Sequence, residues 1–214
     1  MAAIRAEIAS AAVTAGRDPL DVTLIAVSKT HPPEAIESLL GCGQMRFGEN
    51  RVQEAETKFP SLRASWPNLF LHLIGPLQTN KSREAVRLFD AIDSLDRPRL
   101  ADALDAAAQA TGRLPRLLIQ VNIGDESQKA GVARKDADRF IADCRKRFPD
   151  HLRGLMCIPP AGRDPAPYFV ELGALARHHG LPVLSMVMSS DFAAAVAAGA
   201  TEVRVGSALF GQRA

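Results

Sequence analysis

Short runs of consecutive apolar residues alternate with longer helical segments along the whole sequence. The first run, Leu24 to Val27, is apolar at four successive positions, as is typical of strands that are covered on both faces in a parallel sheet. The predicted strands cover residues 22–28, 44–47, 69–74, 91–94, 117–122, 154–158, 183–188 and 202–205. The helices predicted between them cover residues 33–40, 50–59, 79–89, 98–110, 135–148, 167–179 and 191–198.

This alternation predicts an α/β fold, a closed (β/α)8 barrel of the TIM type. We expect one domain over residues 1–214, near the small end for this fold, with an extra helix over residues 1–15 before the first strand. A doubly wound open sheet is the alternative. It would place a glycine-rich turn after its first strand, but the sequence after Val27 reads SKTHP, which is no dinucleotide-binding motif.

Charge and composition exclude several classes of partner. The formal net charge is +2 with scattered basic residues, whereas a polyanion needs a basic patch, and 5% aromatic residues are too few for a base-stacking platform. No segment has the apolar length that spans a bilayer, and the N-terminus lacks the pattern of a signal peptide. We therefore expect a cytoplasmic protein without nucleic-acid or membrane partners. We also expect a monomer, although none of these sequence features determines the oligomeric state.

The cysteines and histidines indicate neither a disulfide framework nor a metal site. Cys42, Cys144 and Cys157 are odd in number and far apart, so we expect reduced thiols. The histidines show no metal-ligand spacing, and we expect no metal. The pair His178 and His179, followed by a glycine, is typical of a helix C-terminus.

A lysine directly follows the first predicted strand. The loops at the C-terminal ends of the strands form the active face of such barrels, which places Lys29 at the rim with its amine toward the central cavity. Partial desolvation there disfavours the ammonium form and leaves some uncharged amine to attack an aldehyde. The alternative is a lysine that extends to solvent from a strand end.

Other strand ends add polar groups. After the second strand, Asn50 can point its amide at a ligand while it caps the next helix, and capping alone would also explain it. After the third strand, residues 75–81 form a Gly-Pro turn rich in donors, which is either a binding loop or a solvated helix start capped by Thr79. Lys129, after the fifth strand, is a second amine near the mouth or, as we favour, an exposed loop charge.

The last two strand ends have the features of a phosphate site. Barrels of this type commonly bind phosphate with the loops after strands seven and eight and a short helix N-terminus. Gly206 lets the backbone approach a ligand, and Ser207 adds a hydroxyl where a final helix begins, with amides that favour a dianion. Ser189, just before the helix near Asp191, adds a hydroxyl or an amide and also suits the N-cap position.

Arg204 lies between Val203 and Val205, so either the arginine or the valines face the barrel interior. A buried arginine needs an acceptor, and we interpret it as facing an acceptor atom of a bound ring; the alternative is an outward pair with a helix carboxylate. Because the first and last strands of a closed barrel are neighbours, Lys29, Arg204 and the phosphate site are predicted to share one cavity. An aldehyde-reactive amine, a ring-nitrogen partner and a phosphate cradle together predict pyridoxal 5′-phosphate (PLP) as cofactor.

These motifs also resemble one family, in order and over nearly the whole chain. The matching segments are AVSK (26–29), FGEN (47–50), IGPLQTNK (74–81), GLM with IPP (154–156 and 158–160), and residues 185–191 and 204–211. They are similar to the PLP homeostasis protein family. The resemblance implies the barrel of the alanine racemase N-terminal domain, standing alone, and a role in cellular PLP balance without an established catalytic reaction.

The resemblance carries roles onto single positions of this chain. It implies the following cofactor contacts: Lys29 as the Schiff-base lysine, Asn50 beside the cofactor, Arg204 near the pyridine nitrogen, and Ser189, Gly206 and Ser207 at the phosphate. The chain departs from the family at Val187, where a glycine is usual. A valine is strained there if the position needs a positive φ.

The predicted site favours a carrier over an enzyme. An arginine at the pyridine nitrogen discourages protonation of the ring, which makes the ring a poorer electron sink. Racemases with this arrangement add a tyrosine from another domain as second base, whereas the one tyrosine here, Tyr168, lies in a loop-to-helix region. We predict a buffering or delivery protein without robust catalysis, with apo PLP-dependent enzymes as candidate partners. A PLP-dependent amino-acid racemase or other fold-type III enzyme stays open, as does a barrel enzyme without PLP in which Lys29 reacts with a sugar-phosphate carbonyl.

Overall fold

The computed structural model describes residues 1–186 and 192–211. In these ranges the strands are β1 (Thr23–Val27), β2 (Arg46–Glu49), β3 (Phe70–Leu73), β4 (Ala91–Leu95), β5 (Arg116–Asn122), β6 (Val132–Ala133), β7 (Leu152–Cys157), β8 (Val183–Met186) and β9 (Glu202–Val205). The helices are α1 (Ala2–Thr14), α2 (Pro33–Gly41), α3 (Val52–Ser65), α4 (Ser82–Leu88), α5 (Pro98–Thr111), α6 (Arg134–Arg147), α7 (Ala166–His178), α8 (Phe192–Ala197) and α9 (Ser207–Phe210).

Within the described ranges, eight parallel strands close into a barrel in the order β1-β2-β3-β4-β5-β7-β8-β9, and β9 pairs with β1 to complete the ring. The two-residue β6 lies outside this ring and pairs with the end of β5. In the closing pair, Ile25 lies opposite Arg204 and Ala26 opposite Val205. The predicted (β/α)8 barrel is therefore confirmed, and so is the prediction that its first and last strands are neighbours.

The two-residue period of each strand separates two layers of side chains. On β9, Val203 and Val205 point outward and join the buried hydrophobic cluster beneath the helices. Phe47 of β2 belongs to the same cluster, where its ring centre lies 6.3 Å from that of Phe59 on α3. Arg204, on the opposite face of β9, lies inside the barrel, so the same alternation that builds the outer core also delivers polar groups to the interior.

The predicted N-terminal helix is present as α1. Its buried face repeats at intervals of four residues, as an amphipathic helix requires: Ile4, Ile8 and Ala12. Arg17 follows the helix and donates to the carbonyls of Val196 (2.8 Å) and Ala200 (2.7 Å), which ties α1 to the end of α8. None of the helices in the described part of the chain combines the length and apolar character that crossing a bilayer requires.

Two helix starts differ from prediction. The helix expected at residue 50 begins at Val52, because the backbone stays extended at Arg51 (φ −131°, ψ 131°), so Arg51 takes the N-cap position and the capping role of Asn50 is wrong. The helix expected from residue 79 divides into a 3-10 turn, Thr79–Lys81, and α4. Thr79 is the N-cap of neither, and that capping role is also wrong.

Candidate functional site

The C-terminal ends of the strands surround a cavity of about 520 Å³. Its lining includes these predicted site residues: Lys29, Asn50, Arg204, Gly206 and Ser207. The remaining predicted residue, Ser189, lies outside the described residues, as does Val187. The cavity volume falls within the range of roughly 300–1,000 Å³ that is common for small-molecule sites.

The turn that carries Lys29 contains an unusual backbone conformation. Thr30, the next residue, has φ 67°, a left-handed value that β-branched residues rarely adopt. Its amide donates to Oε1 of Glu54 on α3 at 2.5 Å. Strained backbone persists only where the surrounding structure holds it, and here the helix supplies the acceptor.

A buried polar network lies behind this turn, and sequence reasoning missed it. The Ser28 hydroxyl donates to Glu49 Oε1 at 2.7 Å, and Lys58 Nζ donates to the same oxygen at 3.0 Å, to the Ser28 carbonyl at 3.1 Å and to Glu54 Oε1 at 2.6 Å. Burial raises the pKa of Glu49, against the hydrogen bond from Ser28 and the charge of Lys58. The available signal was the i,i+4 spacing of Glu54 and Lys58 on a helix that follows a buried strand.

Arg204 points into the barrel and is only 5% exposed. It donates to the hydroxyl of Ser185 on β8 and to the carbonyl of Cys157 on β7 at 2.9 Å. Burial lowers the pKa of the guanidinium, opposed by the nearby carboxylates of Asp93 and Glu202. The inward orientation is confirmed, and the alternative of an outward pair with a helix carboxylate is wrong.

Asn50 reaches the cavity wall because Gly75 lets two loops approach closely. A Cβ on Gly75 would lie 2.3 Å from the carbonyl oxygen of Asn50 and 2.7 Å from its Cα, far inside normal contact. Only glycine allows this packing of the loop after β3 against the loop after β2. Gly75, the first residue of the Gly-Pro motif, therefore allows Asn50 to take its place in the cavity wall.

The loops that follow β1 and β9 meet at the cavity. The ring of His31 stacks on that of Phe210 in α9, with centres 4.4 Å apart and planes inclined by 14°. A Cβ on Gly206 would make ordinary contact with Val27 Cβ at 3.5 Å, so packing within the chain does not require glycine there. The missing side chain instead leaves room in the cavity beside the start of α9, which begins at Ser207 as predicted.

Lys129 lies in the cavity wall, so the prediction of an exposed loop charge is wrong. Its Nζ donates to the carbonyl of Pro159 at 3.0 Å and pairs with Glu126 Oε2 at 2.5 Å. The loop folds back because the Asn122 side chain, at the end of β5, bonds both the carbonyl (2.8 Å) and the amide (3.2 Å) of Glu126. The turn closed by Asn122 and Glu126 thus brings Lys129 into the cavity wall, whereas its position in the sequence suggested an exposed loop.

A second set of ionisable residues lies in the barrel interior, toward the N-terminal ends of the strands. His72 Nδ1 is 3.0 Å from Asp93 Oδ2, and Arg116 Nη1 is 2.7 Å from Glu202 Oε1. Ligand atoms of His72, Asp93 and Glu202 lie within 4.8 Å of one another, a grouping that could hold a metal ion and that sequence spacing did not reveal. Because Arg116 and Arg204 already balance the two carboxylates, a divalent cation would add uncompensated charge in a desolvated interior.

A similar group lies at the surface where α7 ends. The helix ends at His178, one residue before the predicted end, with His179 as its C-cap, and Gly180 has φ 64°. His179 Nε2 is 2.9 Å from Asp138 Oδ1, and these two residues with His178 form another set of potential ligand atoms. The exposure of Asp138 and His178 is ordinary for a surface pair, and none of these three residues is among the described residues that line the cavity.

Comparison with known proteins decides the family. Residues 1–214 match the model of the alanine racemase N-terminal domain. The pyridoxal phosphate homeostasis protein of Escherichia coli (strain K12) is 41% identical over 226 residues, covering 100% of this chain and 95% of the relative. This chain belongs to the pyridoxal phosphate homeostasis protein family. The family's protein from Pseudomonas aeruginosa (strain PAO1) is 39% identical over 224 residues, covering 100% and 94% of the two chains.

Solved structures agree with this membership of the pyridoxal phosphate homeostasis protein family. PipY of Synechococcus elongatus PCC7942, solved with PLP bound, superposes with a TM-score of 0.82 at 40% identity, covering 95% of this chain and 100% of PipY. PipY without PLP gives 0.84 at 41% identity and the same coverage. The alanine racemase of Streptomyces coelicolor A3(2) superposes at 0.69 with 23% identity, covering 99% of this chain and 58% of the racemase, which shows a shared fold.

Proposed function

We propose that this protein binds PLP as a Schiff base on Lys29 and buffers or delivers the cofactor in the cytoplasm. The observation that carries the proposal is the cavity that Lys29 shares with Arg204, Gly206 and Ser207. The PLP-bound structure of PipY, a relative at 40% identity, supports it. Apo PLP-dependent enzymes are the proposed recipients, and the proposed working unit is a monomer.

The residues of the cavity fit the three parts of PLP. The Lys29 amine suits the aldehyde, with which a primary amine condenses with loss of water. Arg204 is a donor for the ring nitrogen, and Asn50 adds an amide in the cavity wall. Gly206 and Ser207 offer a backbone amide and a hydroxyl to the phosphate, and Ser189 is proposed as a further phosphate contact. When bound, PLP supplies an electrophilic aldehyde and an electron-accepting ring.

Two features favour holding the cofactor over turning substrates over. Arg204 is a permanent cation and discourages protonation of the ring, which limits the ring as an electron sink. Tyr168, the single tyrosine of the chain, lies in α7 with its hydroxyl 3.5 Å from Arg163 Nη1 and is not among the described residues that line the cavity. Two-base racemisation needs a second proton donor on the far face of the cofactor, and this tyrosine does not supply it.

The test is a titration of purified apo-protein with PLP, followed by absorbance. We expect a Schiff-base band in the wild type that is lost in Lys29→Ala and retained in Lys135→Ala, a matched control at an exposed position of α6. An undiminished band in Lys29→Ala contradicts the proposal. Steady turnover of D- or L-alanine supports the racemase instead, and reaction with a sugar phosphate in the absence of a PLP band supports the third candidate.

A further inference from the structure

Two lysines lie beside the end of β1, in different environments. Lys29 lines the cavity, whereas Lys58 of α3 is 6% exposed and is not one of the described residues of the cavity wall. The Lys58 amine donates to Glu49 Oε1 at 3.0 Å, to Glu54 Oε1 at 2.6 Å and to the Ser28 carbonyl at 3.1 Å. Lys58 therefore holds its hydrogen-bond partners in place, and one of them, Ser28, directly precedes Lys29.

The residue that follows Lys29 is held from the same side. The Thr30 amide donates to Glu54 Oε1, the oxygen that also accepts from Lys58. Thr30 has φ 67°, and a β-branched residue keeps that conformation only when its surroundings impose it. Oε1 of Glu54 thus links Thr30 to Lys58, the lysine that donates to the carbonyl of Ser28.

The charge state of Glu54 suits this task. Although burial acts to raise it, hydrogen bonds from Lys58 and from the Thr30 amide hold the pKa of Glu54 below its ordinary value. The carboxylate is then a charged acceptor throughout the neutral range, and hydrogen bonds to charged acceptors are stronger than neutral ones. The residues on both sides of Lys29 are therefore fixed to α3 by charge-assisted bonds.

We propose that Glu54, anchored by Lys58, is a positioning residue for Lys29: it holds Thr30 in the left-handed conformation that aims the Lys29 amine into the cavity. The inference rests on the proposed function of Lys29 as the PLP attachment site and adds how its amine is preorganised. A group held in its bound geometry before ligand arrives loses less entropy on binding, so affinity rises without any new contact to the ligand.

The experiment compares PLP affinity by Schiff-base absorbance in four variants of the full chain. Glu54→Ala is expected to weaken binding about tenfold, equivalent to about 1.4 kcal/mol. Thr30→Gly alone is expected to stay within about twofold of wild type, because glycine adopts positive φ without support. Combining the two changes is expected to recover affinity to within about threefold of wild type, since the conformation that Glu54 holds in place no longer needs holding. Glu56→Ala, at an exposed position of the same helix, is the matched control and is expected to bind as wild type.

The outcomes separate this inference from the proposed function. If the wild type lacks a Lys29-dependent band, the proposed function fails first. If that band is present and Glu54→Ala binds within twofold of wild type, the positioning role is refuted and the proposed function stands. If the double variant stays as weak as Glu54→Ala, Glu54 does not act through the strained turn, which also refutes the inference.

A loss of folding does not imitate the predicted result. The Glu54 side chain is 25% exposed, and thermal melting without PLP reports whether Glu54→Ala folds. If it does not fold, Glu54→Leu takes its place, because leucine also lacks an acceptor for the Thr30 amide, and the same loss of about tenfold is expected. Glu54→Gln is the conservative variant: its amide oxygen can still accept from the Thr30 amide, so this variant is expected to bind PLP within about threefold of wild type. Recovery by a smaller side chain at position 30 is a result that general destabilisation cannot produce. A tenfold loss in a folded Glu54→Gln would overturn the inference.

Discussion

Replacing Arg204 with methionine removes a buried cation while keeping much of its apolar volume. The change deletes hydrogen bonds to the Ser185 hydroxyl and the Cys157 carbonyl, each worth roughly 1.5–3 kcal/mol because the donor is charged. Together these suggest about 3–6 kcal/mol, and removing a buried cation that offsets the nearby carboxylates of Asp93 and Glu202 compares with the cost of about 3–5 kcal/mol that is typical for losing one partner of a buried ion pair. The two values agree, so we expect the free energy of unfolding to fall by roughly 3–5 kcal/mol.

Thermal unfolding followed by circular dichroism, without PLP, measures this loss. For a chain of this length 1 kcal/mol shifts Tm by roughly 2–4 °C, so Arg204→Met should melt about 6–20 °C below wild type. Arg139→Met is the control, because that side chain is 91% exposed and its pair with Asp143 is loose at 4.0 Å; its expected change is within about 0.5 kcal/mol. If Arg204→Met melts within about 2 °C of wild type, the loss is under about 1 kcal/mol. That result would refute the interpretation of Arg204 as a buried, hydrogen-bonded cation.

Two further predictions concern the thiols and a loop glycine. Burial raises the pKa of both Cys144 and Cys157 to about 12, whereas Cys42 is exposed. A thiol-specific chromogenic reagent should therefore label one thiol in the native protein and three in denaturant. Rapid labelling of a second thiol in the native protein would contradict the burial of Cys144 and Cys157. Gly75→Ala should destabilise the fold by roughly 1–3 kcal/mol and weaken PLP binding, because the added Cβ would lie 2.3 Å from the backbone carbonyl oxygen of Asn50. Gly41→Ala is the control, because its Cβ would lie in open space on α2, and in thermal unfolding it should melt no lower than wild type.

Periodicity and strand ends determined the barrel and most of the candidate site. Runs such as Leu24 to Val27 predict doubly covered parallel strands, and eight strand–helix units predict closure. Closure makes the first and last strands neighbours, which was enough to expect Lys29, Arg204 and Gly206 around one cavity. Because side chains alternate between the two faces of a strand, Arg204 had to point either into the barrel or outward toward the helices. These deductions need only local pattern and topology, both of which the order of residues encodes.

Tertiary structure alone decided which neighbours those residues have. The sequence allowed Asn50 to cap a helix and favoured an exposed Lys129, and both expectations were wrong. The backbone stays extended at Arg51, which takes the N-cap position, and a local turn closed by Asn122 brings Lys129 to the carbonyl of Pro159. The network of Ser28, Glu49 and Lys58 behind the Lys29 turn was not foreseen at all. Hydrogen bonds of this kind join groups many residues apart, so they depend on how elements pack against one another, and periodicity within one element carries no information about that packing.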